Sequence, residues 1–404
     1  MTAGAGEGHE DMTDLNERAA KADAEDPLAY LRAEFDLDPR VVYLDGNSLG
    51  APPRRVAGRV EEVVREQWGR RLIRSWPELW WDAPERVGEK IAPLVGAAPG
   101  QVVVADSTSV DIFKVLVAAV RMAPGRREIV VDAATFPTDG YIAESVAELT
   151  GTELVPAVVD DLDDVLGERT AVALLNQVDY RTGRLYDMAA ATAKVHAAGA
   201  RVVWDLCHSA GVLPIELDAL EVDLAVGCTY KFLNGGPGSP AFVYVPHRLQ
   251  ASFRNPLPGW GGHREPFAMA PSYEPAPGIA RARAGTPDIL SLTALDVALE
   301  VWDGLDLAAV RAKGLALTGF FMDCVDELLG KAIEVVTPRD EWRGHQVSLR
   351  HHQARELIGE LTAREVIGDF RPPDVLRFGF APLYNTYGDA LRAARTLAEV
   401  VSAG

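Results

Sequence analysis

Apolar positions in the middle of the chain form short, nearly continuous runs separated by amphipathic stretches. The runs at 102–104, 128–131, 171–175, 202–204, 224–226 and 241–245 are rich in β-branched residues and read as strands. Between them, a helix is predicted to begin near Ser109, with Val110, Phe113, Val117 and Val120 on one face. A second is predicted over 187–198. Strands alternating with helices predict an α/β domain with a mostly parallel sheet covered on both faces. Ligands in such sheets sit at the carboxyl ends of the strands. Asp106, Asp132, Asn176 and Asp205 all fall at or just past such ends.

Beyond about residue 290 the pattern changes. Helices are predicted over 289–302 and 307–329, strands over 332–336 and 346–350, a helix over 354–363 and a strand over 375–380. This describes a smaller α+β domain. The expected organisation is a large domain over 56–290 and a small domain made of 26–55 plus 291–404. Residues 1–25 are expected to be a disordered, acidic lead-in. With 404 residues the chain exceeds one typical core, which agrees with two domains.

Two strand ends carry the sharpest chemistry. Asp205 ends one apolar run and leads into Leu206-Cys207-His208-Ser209-Ala210-Gly211. Lys231 follows another, in Gly227-Cys228-Thr229-Tyr230-Lys231-Phe232-Leu233-Asn234-Gly235-Gly236-Pro237-Gly238. Taken singly, these residues have ordinary readings: a helix cap, a buried histidine, a solvated lysine, a glycine turn. Taken together they suit pyridoxal phosphate (PLP). A lysine amine forms a Schiff base with the cofactor aldehyde, and a carboxylate keeps the pyridine nitrogen protonated so that the ring accepts electrons. Tyr230, Phe232 and Leu233 hem the lysine in, and partial burial makes its amine a better nucleophile.

Other segments fit around that pair. Asp106-Ser107-Thr108-Ser109 follows a strand and opens a helix, so Thr108 and Ser109 are candidates for holding a phosphate at a helix N-terminus. Phe136-Pro137-Thr138-Asp139 is either a turn with a cap or a ring face for a planar cofactor with a carboxylate beside it. Arg377 lies within an apolar strand pattern. It is either half of a structural ion pair or a clamp for a substrate carboxylate.

Net charge is −19, which disfavours nucleic acid as a partner. No apolar run approaches the roughly 18 residues of a membrane span. The N-terminus lacks the apolar core of a signal peptide. Three cysteines form neither a disulfide framework nor a metal-ligand spacing, so no metal is expected and a reducing cytoplasm is.

From Tyr43 to about Tyr387 the chain resembles the kynureninases, PLP enzymes of fold type I (the aspartate-aminotransferase-like fold). The resemblance is carried by Tyr43-Leu44-Asp45-Gly46-Asn47-Ser48-Leu49-Gly50, Leu72-Ile73-Arg74-Ser75-Trp76, Phe136-Pro137-Thr138-Asp139 and the segments around Asp205 and Lys231. It continues through Gly259-Trp260, Gly285-Thr286-Pro287 and Arg377-Phe378-Gly379-Phe380-Ala381-Pro382-Leu383-Tyr384. The resemblance implies hydrolysis of the Cβ–Cγ bond of L-kynurenine to anthranilate and L-alanine. The setting implied is tryptophan catabolism by the kynurenine pathway, with its link to NAD biosynthesis. Lys231, Tyr230 and Asp205 would be catalytic: the Schiff-base lysine and Cα base, a proton donor, and the partner of the pyridine nitrogen. Thr108, Ser109, Phe136, Asp139, Asn176 and His208 would line the cofactor. Trp260 and Thr286 would reach it from the other subunit of a homodimer. Arg377, Asn47, Trp76 and Gly285 would contact substrate, with Trp76, Gly285 and Thr286 matching the bacterial, kynurenine-preferring pattern over the 3-hydroxy substrate.

Three positions depart from that pattern. Asn176 stands where a hydroxyl residue is expected, Asp111 where Asn is expected, and Gly261 where an aromatic is expected, which predicts a looser pocket wall at 261. A related PLP enzyme acting on a modified kynurenine is the principal alternative. A cysteine desulfurase would need an exposed loop cysteine, and Cys324 is predicted to be core. A catalytically silent PLP-fold protein is the non-enzyme alternative.

Overall fold

The computed structural model describes the backbone of residues 7–403 and the side chains of residues 14–403. The chain divides into two compact units. The larger comprises Arg55–Tyr180 and Leu185–Asp303. The smaller comprises the residues up to Arg54, Arg181–Arg184 and the residues from Gly304 onward. The expected boundary at 290 therefore shifts: the helix Ile289–Ala298 stays with the larger unit, packed on the helices Arg55–Glu62 and Ala83–Ile91.

A seven-stranded sheet forms the larger unit. Its strands, in spatial order, are Val102–Val104, Phe242–Tyr244, Leu224–Gly227, Arg201–Asp205, Thr170–Asn176, Glu128–Asp132 and Glu153–Ala157. Only Phe242–Tyr244 runs against its neighbours, so the sheet is mostly parallel, as expected. The edge strand Glu153–Ala157 is absent from the sequence reading. Its exposed, Pro-containing pattern is that of a sheet edge and carries no strong apolar signal. Val203, Leu174 and Val131 turn to one face, where the helices Thr108–Arg121 and Pro137–Thr150 close a core. Trp204 points the other way, as the two-residue strand period requires, and its Nε1 donates to Thr192 on the helix Met188–Ala197.

Of the face predicted for the helix Thr108–Arg121, only Val117 is fully buried. Ile112, Val115, Leu116 and Ala119 are buried, whereas Val110, Phe113 and Val120 are only half-buried. The helix is packed on most sides, so apolar residues all round it blur the periodicity.

In the smaller unit a four-stranded antiparallel sheet runs Asp369–Arg371, Val375–Gly379, Gln346–Arg350 and Glu334–Val335. It shares a core with the helices Leu307–Leu329, Ala354–Ala363 and Tyr387–Ala403. The acidic N-terminal segment is not disordered where it is described. Glu7–Ala24 is helical, and Leu15 and Ala19 enter that core. Charge concealed a short apolar stripe. No helix among the described residues is long and apolar enough to cross a membrane.

Candidate active site

Parallel pairing sets Asn176 beside Asp205 at the ends of adjacent strands. Asp205 is nearly buried. Its Oδ1 accepts from Cys207 N (2.6 Å) and its Oδ2 from Asn176 Nδ2 (3.2 Å). No helix starts here, so the helix cap read from the sequence is absent: the bond to Cys207 closes a turn and occupies one oxygen only. The same Asn176 amide donates to Asp139 Oδ2 (3.0 Å), and Thr135 Oγ1 donates to that oxygen too (3.3 Å). Burial, and then the charge of Asp205, pushes the Asp139 carboxyl well above the usual carboxylate range. The second carboxylate on the shared Asn176 amide thus favours the protonated form of Asp139. Thr135 was not foreseen; its signal was a hydroxyl three residues past a strand end.

Lys231 is half-buried, and its Nζ lies 3.2 Å from His208 Nε2 and 5.9 Å from the centre of the Tyr230 ring. The segment that carries it is tied off: Asn234 N donates to Lys231 O, Gly235 N donates to Thr229 O, and Thr229 Oγ1 donates to Ser239 Oγ. A Cβ at Gly235 would collide with Ser239, so the glycine here serves close packing. Burial pushes the Tyr230 phenol up, which keeps it protonated. Thr108 Oγ1 lies 3.8 Å from Cys207 Sγ, which places the helix start next to the Asp205–His208 segment.

The residues present fit the cofactor read from the sequence. Ser107 caps the helix Thr108–Arg121 in extended conformation without giving its side chain to the helix end, so first-turn N–H groups are left for an outside anion. Phe136, 37% exposed, meets Tyr180 edge-to-face (5.2 Å) and keeps a ring face available. An anion, an amine and a ring face are all at hand.

Trp76, Trp260, Gly285 and Thr286 form a second group in the larger unit. Trp260 Nε1 donates to Thr286 Oγ1 (3.3 Å), and its ring lies 6.4 Å from Trp76 and 4.8 Å from Trp81. The looser wall expected at Gly261 is not found. Gly261 N donates to Ala284 O (2.9 Å), and a Cβ at 261 would come within 2.6 Å of Gly285 O. Backbone packed on backbone closes the wall.

In the smaller unit, Arg377 is fully buried. Its Nε donates to Asp369 Oδ1 (2.9 Å) and its Nη2 to Ser48 Oγ (3.0 Å). Asn47 accepts from Arg377 Nε (3.0 Å) and donates to Asp45 (3.2 Å). Gly379 leaves no room for a Cβ beside Asn47. Burial, reinforced by the charge of Asp369, pushes the Asp45 carboxyl up to about 7. The ion pair that was one reading of Arg377 therefore exists. Asp369 was missed, although the hairpin register that pairs it with Arg377 follows from the short turn at 372–374. Cys324 is wholly buried, and burial pushes its thiol up to about 12.

A mostly parallel sheet with an aspartate and a lysine at its carboxyl ends, beside a helix start that no side chain caps, is the construction of a PLP-dependent enzyme of fold type I. Solved structures agree on the fold. A cysteine desulfurase from Escherichia coli superposes with a TM-score of 0.78 at 21% identity, covering 93% of this chain and 98% of its own. A mutant C-DES with glycine covalently linked to its PLP cofactor gives 0.77 at 16%, covering 91% and 99%. Sequence relatives are more specific. A kynureninase from Deinococcus radiodurans is 50% identical over 388 residues, 94% of each chain, and one from Burkholderia pseudomallei (strain 1106a) is 47% identical over 395 residues, 95% of each. Residues 310–397 match the kynureninase C-terminal domain. The chain belongs to the kynureninase family, and its cofactor is PLP.

Proposed function

We propose that this protein hydrolyses the Cβ–Cγ bond of L-kynurenine, giving anthranilate and L-alanine, in tryptophan degradation. The observation that carries this is the full-length likeness to kynureninases in a chain that keeps Asp205, His208 and Lys231 grouped at the sheet's carboxyl edge. Lys231 would hold the cofactor, with Asp205 at the pyridine nitrogen, Phe136 on the ring, and Thr108 and Ser109 at the phosphate. Asn176 and Asp139 would steady Asp205, and His208 would orient the lysine. The bound cofactor supplies an electron sink that acidifies the substrate Cα.

Lys231 takes the Cα proton. Water then adds its oxygen to the γ-carbonyl, the Cβ–Cγ bond breaks, and Cβ takes up a proton. The water oxygen leaves as part of the anthranilate carboxylate. Tyr230, kept protonated by burial, suits the donation to the alanine fragment. Arg377, its guanidinium plane set by Asp369, would bind the α-carboxylate, with Asn47 beside it. Trp76 and Gly285 would contact the substrate ring and favour plain kynurenine over its 3-hydroxy form.

We further infer a cytoplasmic homodimer, in which Trp260 and Thr286 of one protomer complete the site of its partner. Exposed apolar side chains on the larger unit, including Trp68, Leu72, Ile73, Phe267 and Met269, support a buried interface there. Incubation with PLP and either L-kynurenine or 3-hydroxy-L-kynurenine tests the activity. Equimolar alanine and anthranilate, formed faster from the first, is the expected result. No aromatic product from either, with Lys231 still carrying the cofactor, would overturn it.

A further inference from the structure

Asp111 and Lys114 lie wholly inside the protein, in the first turns of the helix Thr108–Arg121. Lys114 Nζ sits 2.6 Å from Asp111 Oδ1 and 2.8 Å from Asp106 Oδ2. Asp106, at the turn from the preceding strand, adopts a left-handed backbone (φ 50°) just before the cap residue Ser107. One ammonium thus serves two carboxylates, so the cluster keeps an excess negative charge when both are ionised. Asp111 Oδ2 is buried without a hydrogen-bond partner. Lys114 joins the two carboxylates into one cluster within the turn. It lies directly behind the helix end.

A carboxylate in the first turn of a helix complements the positive end of the dipole, and so competes with any external anion for that same end. We propose that Asp111 is a positioning residue that sets how tightly this helix end holds the cofactor phosphate. Its charge, only partly neutralised by the lysine it shares with Asp106, steadies the turn in the apoprotein and weakens phosphate binding. This rests on the reading of Thr108 and Ser109 as the phosphate site. The charged groups facing Asp111 are Lys114 on its own helix and Asp106 on the preceding turn. Burial pushes the Asp111 carboxyl up to about 7, so its charge is tested above that pH.

The test compares PLP with pyridoxal, which offers Lys231 the same aldehyde and no phosphate. Dissociation constants for both are measured on the parent protein and on Asp111→Asn, with thermal midpoints of the apoproteins alongside. The expected result is PLP binding tightened about fivefold, unchanged pyridoxal binding and a lower apoprotein midpoint. Asp106→Asn, whose amide residue tolerates the left-handed backbone, should shift PLP binding in the same direction. A parent that prefers PLP to pyridoxal, with both variants unchanged or altered equally toward the two ligands, overturns the proposal alone. A parent that binds both ligands equally overturns the phosphate-site reading and the proposal with it.

Discussion

Burial and the neighbouring Asp205 charge favour the protonated form of Asp139, and substitution can test this. Asp139 is 2% exposed, accepts from Asn176 and Thr135, and faces the Asp205 carboxylate. In its protonated form it offers a donor toward Asp205. Asp139→Asn keeps that donor through its amide and keeps an acceptor for Asn176 and Thr135. The change should cost under about 1 kcal/mol, the scale of one neutral hydrogen bond. Asp139→Ala removes donor and acceptor together and leaves buried polar groups unsatisfied, so about 1–3 kcal/mol is expected.

The proton also sets the pH dependence. An unfolded aspartate titrates near 3.9, and the folded value of Asp139 lies well above its ordinary one. Between those values the folded state binds more protons than the unfolded chain. The stability Asp139 contributes is therefore fully present below the unfolded value and is lost as pH rises through the folded one, at up to about 1.4 kcal/mol per pH unit. Asp139→Asn should remove this slope. Urea denaturation of the two apoproteins across the acid-to-neutral range measures it. If Asn costs as much as Ala, or if the parent gains on the variant as pH rises, the proton has been placed on the wrong carboxylate.

Further expectations can be checked more simply. Lys231→Ala should abolish turnover yet retain some cofactor binding, read by the absorbance of bound PLP; full activity would reject the lysine's role. Arg377→Lys keeps the charge but not the planar two-point grip on Asp369; KM for kynurenine should rise at least tenfold, and an unchanged KM would mean that another group holds the carboxylate. Lys313→Ala strands Asp26, whose ion pair with Lys313 (2.7 Å) is almost wholly buried, and should destabilise the smaller unit by about 3–5 kcal/mol in denaturant titration. Cys324→Ala should leave kynurenine cleavage intact, because its thiol is sealed in the core; loss of activity would reopen a role for sulfur chemistry.

Much of the architecture is legible in one dimension. Central parallel strands are buried on both faces and advertise themselves as continuous apolar runs, which is why Thr170–Asn176 and Arg201–Asp205 are foreseen to within one residue at each end. Short or edge strands escape, because Glu153–Ala157 and Val366–Ile367 owe their conformation to a neighbour. The helix at Glu7–Ala24 escapes because it is mostly polar and is held by its few core contacts.

The sequence alone determined the reaction class. Asp205 and Lys231 lie in motifs whose order and chemistry suit PLP, and that information is local to each strand end. What the chain could not declare is who neighbours whom. Asn176 could be read as a lost hydroxyl, but only adjacent parallel strands make it the bridge between Asp139 and Asp205. Gly261 could be read as a gap, but only the facing backbone at Ala284 and Gly285 makes it a closed wall. Asp106, Asp111 and Lys114 could be read as surface charges, and only the burial of Asp111 and Lys114 draws them into one cluster with Asp106. Strand and helix periods are set by each residue's own backbone and side chain. Hydrogen-bond partners and desolvation depend on groups distant in sequence, and folding alone brings those together.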